Sequence, residues 1–342
     1  MKANHRKIVF ILGLIALATI MFFLTLGFGV YHISLTESIR AFFDHLAGNY
    51  VDPAAERYIW EVRTPRALGA IVCGAALSVA GVVMQNDFRN PLAEPYTMGI
   101  ASGAFLGAVL SIVLGVSIIP FANGNLGLVT NAFIFSLIPT LIIVAVAKFK
   151  KLTPTAMILT GIATMYLFSS ISQLIMVTAS AESLADAYAW RVGSFNRINW
   201  DNFPIILGIS TIIVALLWMI SGKLNIMYAG DRGAQTLGEN AQHIRIITLV
   251  LVSLLTAGVV CYTGTIGFIG LVGPHVARIF VGSDNRYLIP ASMAFGAAFM
   301  LMADTVAKVS GANGLPVGVI SAMVGGPLFM YILVKQRRSA WL

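Results

Sequence analysis

Charge is scarce in this chain. Asp, Glu, Lys and Arg make up 11% of its 342 residues, against about 25% in an ordinary soluble domain. Hydrophobic residues make up 58% and the mean hydropathy is +0.86, so a soluble or disordered chain is excluded. Cysteine is nearly absent. Cys73 and Cys261 lie in apolar runs and read as packed thiols, with no disulfide framework. The five histidines are scattered, and no Cys/His/Asp cluster has metal-ligand spacing. No phosphate-binding loop of the Gly-x-x-x-x-Gly-Lys-Ser/Thr type occurs, and no nucleophile–base arrangement stands out. Neither ATP binding nor catalysis is therefore expected of this chain. The net charge of +8 suggests a nucleic-acid partner at first sight. Its placement reads instead as a positive-inside bias around membrane spans, with no nucleic acid involved.

Long apolar runs are what the chain has in abundance. A hydrocarbon core of about 30 Å needs roughly 20 apolar residues per helix. Such runs lie near 8–30, 67–84, 96–119, 126–147, 154–178, 203–220, 246–263, 288–309 and 316–334, and a Gly-punctuated stretch near 273–282 adds a short tenth. The expected fold is all-α and polytopic, a single membrane domain over 1–342 with ten spans, one of them short. The first run follows Lys2, Arg6 and Lys7 and is too long for a signal-peptide core, so it reads as a retained span. An even number of spans puts both termini on one side. Calling that side cytoplasmic leaves only Arg40, Arg57, Arg63, Arg66, Arg191, Arg197 and Lys308 outside, seven of the 22 basic residues. This is the sorting expected of a multi-pass protein in the cell membrane.

Several local patterns stand out against this background. In Gly264–Arg286, glycines 264, 267, 270 and 273 recur every three residues, and Pro274, His275 and Arg278 follow. Backbone groups freed by Gly and Pro in a bilayer must be satisfied by protein or a wet cavity, so this segment belongs inside a bundle. Arg63-Thr64-Pro65-Arg66 sits at the outer mouth of the second span, with proline suited to a first helical turn. The arginines read either as interface anchors or as a cationic docking point. Asn90-Pro91-Leu92 lies in a stiff inner loop with Pro95, where Asn90 is available to cap the next helix. Asp304 and Lys308, four apart in the ninth run, come face to face on a helix. The loop over 221–243 shows two short helical patterns separated by glycine. Ala80-Gly81-Val82-Val83 and Ala257-Gly258-Val259-Val260 are compatible with an inverted repeat or with chance.

Residues RTPRALGAIVCGAALSVAGVVMQNDFRNPLAEPYTMGIASGA and GTIGFIGLVGPHVARIFVGSDNRYLIPASMAFGAAFMLMADTVAK resemble the permease subunits of the iron-siderophore and vitamin B12 ABC importers. So do Leu315–Leu333 and Ala234-Gln235-Thr236-Leu237-Gly238, and the likeness covers about 62–334. The resemblance implies a dimeric permease with two ATPase subunits below, which bind ATP and Mg, and a substrate-binding protein above. It implies that Gly230, Asp231, Arg232, Ala234, Leu237 and Gly238 belong to a cytoplasmic loop coupling to the ATPase. Arg63 and Arg66 would meet acids on the binding protein, and Lys308 stands where the B12 permease has arginine. Asn90, Pro91, Leu92 and Thr155 match its inner gate. Asp304, Gly273, Pro274, His275 and Arg278 would be structural or line the pathway. The implied cargo is a ferric siderophore, with haem and cobalamin as alternatives. An ion-coupled secondary transporter is the rival reading. It needs membrane-embedded acids, and only Asp304 qualifies.

Overall fold

The computed structural model describes residues 2–29, 31–49, 53–122, 124–149, 153–311 and 314–335. Among these the chain is helical throughout, with no strand. Lys150, Lys151, Arg337 and Arg338, counted above as inner basic residues, lie outside the described residues. The helices are α1 (Lys2–Leu26), α2 (Leu35–Ala47), α3 (Pro53–Tyr58), α4 (Thr64–Phe88), α5 (Ile100–Leu114), α6 (Asn125–Phe149), α7 (Pro154–Val177) and α8 (Ala181–Arg191). They continue as α9 (Phe203–Met219), α10 (Ser221–Met227), α11 (Gly230–Thr236), α12 (Ala241–Thr263), α13 (Ile269–Val281), α14 (Asn285–Val309) and α15 (Val317–Lys335).

Each of the ten expected runs falls on a helix. The count of spans is less simple. Six described helices are long and apolar enough to cross a membrane, or seven if α9 and α10, bent by 57° at their junction, form one span. The apolar segments Ile100–Leu114, Ile269–Val281 and Val317–Ile332 are shorter. Two boundaries differ from the sequence reading. The second span does not begin near 67, because an apolar helix runs from Ala54 to Phe88. It passes Pro65 through a π-helical turn over Ile59–Arg63. There the Thr64 hydroxyl donates to the Ile59 carbonyl at 2.8 Å, so the helix is carried over a proline that lacks an N–H. The run over 96–119 breaks instead. Pro95–Met98 form a 3₁₀ turn, Gly99 takes φ +84°, and α5 ends at Leu114.

α4 is the hub. Nearly all of its residues after Gly69 are buried, and α9, α12, α13 and α14 pack around it. Small residues make this possible. A Cβ on Gly81 would sit 1.8 Å from the Gly270 carbonyl oxygen, and one on Gly74 would sit 2.3 Å from the Gly296 carbonyl oxygen. Close backbone approach through small residues is how helices associate where no hydrophobic effect drives them. On α13, Gly273 leaves room for the Ser78 side chain of α4, whereas a Cβ on Gly270 would make only ordinary contact. By contrast, α1 and α7 expose large apolar side chains such as Leu12, Ile15, Leu159 and Leu174, as helices facing lipid do.

The outer loop after α1 is ordered. Ser34 and Glu37 form a reciprocal cap at the start of α2, and Gly48 ends it in the left-handed region. Phe42 of α2 packs edge-on against Phe22 and Phe23 of α1.

Candidate functional site

The expected site residues gather at two ends of the α4 hub. At the outer end, the acid–base pair of α14 is present: Lys308 Nζ lies 3.1 Å from Asp304 Oδ2. It is part of a larger cluster. Arg66 Nε and Nη2 both donate to the Asp304 carboxylate, at 2.8–3.1 Å, and Arg66 Nη1 donates to Asn196. Lys308 also donates to the Thr25 hydroxyl at 3.2 Å.

Arg63 turns away from Arg66. Its Nη1 donates to the Leu26 carbonyl at 2.6 Å and its Nη2 to the Tyr31 carbonyl at 2.5 Å. It therefore satisfies carbonyls at and just beyond the end of α1, where a helix leaves them without partners. Arg63 is 2% exposed. The sequence places both arginines at the outer mouth of the second span. The structure separates them, one toward α1 and one toward α14. They do share a small cleft with Tyr58, Asn196, Lys308 and Leu315. Two of these cations, Arg66 and Lys308, share the one buried acid, Asp304.

The inner end is built from the close of α4, the segment α10–α11 and the start of α12. Arg89 ends α4 with φ +46° and ψ 41°, an uncommon left-handed conformation for a residue with a side chain. The Asn90 N–H donates back to the Gln85 carbonyl at 3.1 Å. Asn90 was read as a cap for the next helix. Instead its side chain accepts the Leu92 N–H at 3.0 Å, closing an Asx turn on Pro91. Leu92 is exposed and Pro91 half-buried. Thr155 stands exposed in the first turn of α7, which is capped by Thr153. Glu94 follows the turn, and burial pushes its carboxyl up to about 7.

The loop over 221–243 holds two short helices, α10 and α11, with Gly230 and Gly238 both at φ +80°. Gly238 follows α11 in the left-handed region, the usual place for glycine. Ala234 is buried with Met227, Ala241 and Ile244, so α11 is anchored through its middle. Leu237 is 63% exposed, and Asp231 and Arg232 are exposed beside it. A hydrogen bond from Arg245 holds the Asp231 carboxyl below the usual carboxylate range.

This loop is tied to α4 and α14. Asn86 Nδ2 donates to the Leu224 carbonyl at 2.9 Å. Asn225 donates to Asp284 at 2.7 Å and accepts from the Asn285 backbone at 2.8 Å. The polar run from Gln85 to Pro95 reads in the sequence as an inner-gate loop, but the ties of Asn86 and Asp87 to the loop and to α12, and the roles of Asn225 and Arg245, do not show there. The available signal was the polar run Gln85-Asn86-Asp87 at the end of an otherwise apolar helix.

In the third group, Gly273 faces Ser78 of α4. His275 is buried with its ring edge-on to Phe329, and Arg278 donates to Gln85 at 3.2 Å. Pro274 lies inside α13. No group of three metal-binding side chains occurs among the described residues.

Comparison with known proteins bears on what these two ends serve. The model of the FecCD transport family matches residues 17–335. The chain belongs to the FecCD transport family. The molybdate import system permease protein of Haemophilus influenzae is 32% identical over 98% of each chain. The vitamin B12 import system permease protein of Escherichia coli is 34% identical over 85% of this chain and 88% of its own. An inward-facing structure of an ABC transporter described as metal-chelate type superposes with a TM-score of 0.85 at 30% identity, covering 95% of this chain and 99% of the other. Like other FecCD members, the chain is a multi-pass membrane permease of an ABC importer and is not itself catalytic.

Proposed function

We propose that this permease carries a chelated metal, foremost a ferric siderophore, from an extracytoplasmic binding protein to the cytoplasm by alternating access. The likeness to the metal-chelate type transporter, over nearly the full length of both chains, is the observation that supports this cargo. Cobalamin is the second reading, supported by the 34% identity to a vitamin B12 import permease. Haem is retained from the sequence resemblance alone.

The working assembly is two permease copies or homologous partners, two ATPase subunits that bind ATP and Mg, and one binding protein. Both termini and the loop over 221–243 face the cytoplasm. There Gly230, Asp231, Arg232, Ala234, Leu237 and Gly238 form the ATPase contact, with Leu237 as the apolar knob. Its 63% exposure on an anchored short helix leaves it accessible to a partner, which supports this role. Asn90, Pro91, Leu92 and Thr155 form the inner gate. At the outer mouth, Arg66, whose side chain is part-exposed, attracts an acid of the binding protein, while the buried Arg63 and Lys308 fix the shape of the mouth.

The test is uptake into liposomes holding the permease, its ATPase subunits and the binding protein. A ferric siderophore, haem, cyanocobalamin and molybdate are offered in turn. ATP-dependent uptake of the ferric siderophore alone is expected. Uptake of cyanocobalamin in preference transfers the assignment to the second reading, and uptake of molybdate or haem overturns both.

A further inference from the structure

Arg245 joins the two parts of the inner site. It lies in the first turns of α12 and is 2% exposed. Its Nη2 donates to Asp231 Oδ1 of α11 at 2.8 Å. Its Nε donates to the backbone carbonyl of Asp87, in the last turn of α4, at 3.1 Å. One planar guanidinium therefore touches both the loop and the helix end that leads into Asn90-Pro91-Leu92. A guanidinium presents its donors in a rigid fork, so the two contacts do not shift independently.

Asp87 is held a second way. The Thr248 hydroxyl, three residues after Arg245, donates to Asp87 Oδ2 at 2.5 Å. The remaining polar atoms of the pair are informative. Arg245 Nη1 and Asp87 Oδ1 are both buried and have no hydrogen-bond partner among the described residues. A buried cation thus has a spare donor close to a buried acid with a spare acceptor. Unmet polar groups in an apolar interior are costly, and the cost is removed if the two meet.

We infer that Arg245 is a latch with two carboxylate partners, Asp231 on the coupling loop and Asp87 beside the gate, and that exchange between them links loop movement to the gate. In the arrangement seen, the side chain holds Asp231 and only the backbone of Asp87. When α11 is drawn away, the Asp231 contact breaks, and the guanidinium is recaptured by the Asp87 carboxylate. That recapture pulls on the turn two residues before Arg89, whose left-handed backbone sets the direction of Asn90-Pro91-Leu92. Each state has its own ion pair, which gives the element two discrete positions. This inference rests on the proposed roles of the loop and the gate.

The two acids make opposite predictions, which a merely structural network would not. Cysteine is placed at Asn90 in both permease subunits, and crosslinking is measured without nucleotide and in a trapped ATP state. The native Cys73 and Cys261 are buried. Asp231→Asn removes the partner held in the arrangement seen. Crosslinking without nucleotide should then move toward the trapped-ATP pattern. Asp87→Asn keeps an oxygen for Thr248 but removes the second anion. Crosslinking should then stay at the nucleotide-free pattern when ATP is trapped. In both variants substrate imported per ATP hydrolysed should fall by about 5-fold or more, the lower range of allosteric coupling.

Shifts in the same direction, or none, overturn the latch. Should Asp87→Asn not fold, Asp231→Asn decides alone, because its carboxylate is half exposed and unchanged crosslinking there is sufficient to reject the exchange. Loss of the ATPase subunits from Asp231→Asn also overturns it, since lost docking alone would then account for the fall in import. A wild-type complex that imports none of the offered cargoes is a failure of the proposed cargo and leaves the crosslinking comparison intact.

Discussion

Asp304 is an acid with no solvent exposure, held by Arg66 on one side and Lys308 on the other. Such a group is costly to bury alone and costly to remove once its partners depend on it. Asp304→Ala leaves the buried Lys308 and the part-buried Arg66 without their anion, and breaking a buried pair in this way costs about 3–5 kcal/mol. The expected outcome is a lower thermal-unfolding midpoint in detergent, with Lys308→Met closer to wild type because Arg66 still satisfies the acid. A midpoint for Asp304→Ala equal to wild type would show that the cluster does not stabilise the outer end. Leu237 poses the opposite case, since it is 63% exposed. Leu237→Asp should leave folding and insertion intact while the ATPase subunits no longer co-purify. Co-purification at the wild-type ratio, with transport retained, rejects Leu237 as the contact.

At the scale of the element, α4 and α13 meet through glycine. A Cβ at Gly81 would overlap the Gly270 carbonyl, and backbone cannot step aside as a side chain does. Gly81→Ala is therefore expected to cost more than the ~1–3 kcal/mol of ordinary overpacking, seen as a loss of monodisperse protein on gel filtration. Gly13 of α1 has open space around its Cβ position, so Gly13→Ala serves as the tolerant control. The turn between α4 and α5 carries a pH dependence. Because burial raises the Glu94 carboxyl to about 7, the folded chain keeps a proton that the unfolded chain, titrating at about 4.3, has released. Stability should thus fall as pH rises from about 4 toward 7, and level off above the folded value. Glu94→Gln should flatten that slope in unfolding midpoints measured across the range. An unchanged slope places the titration elsewhere.

At the scale of the whole molecule, the spans are poor in ionisable groups and the polar ties concentrate at the two ends. A permease of this kind is expected to contribute little binding of its own and to depend on its neighbours. In liposomes, omission of either the ATPase subunits or the binding protein should reduce uptake to background. A sodium or proton gradient should not replace ATP. Uptake driven by a gradient alone would revive the ion-coupled reading, with Asp304 as its acid.

The sequence by itself determined the membrane class, the positions of the ten apolar helices, the two short helices of the loop and the Asp304–Lys308 pairing. These follow from apolar run length, glycine placement and a four-residue helical spacing, all of which are local. Tertiary structure decided the rest. Arg63 and Arg66 are three apart in the chain, yet they serve α1 and α14 respectively, because the partners that capture them lie 37 and 238 residues away. Asn90 closes its own turn because Arg89 reverses the backbone there. Arg245 looked like one more inner basic residue. It acquired its place between Asp231 and Asp87 only when α4, α11 and α12 converged, since burial and hydrogen-bond geometry are properties of packed neighbours and not of spacing along a chain.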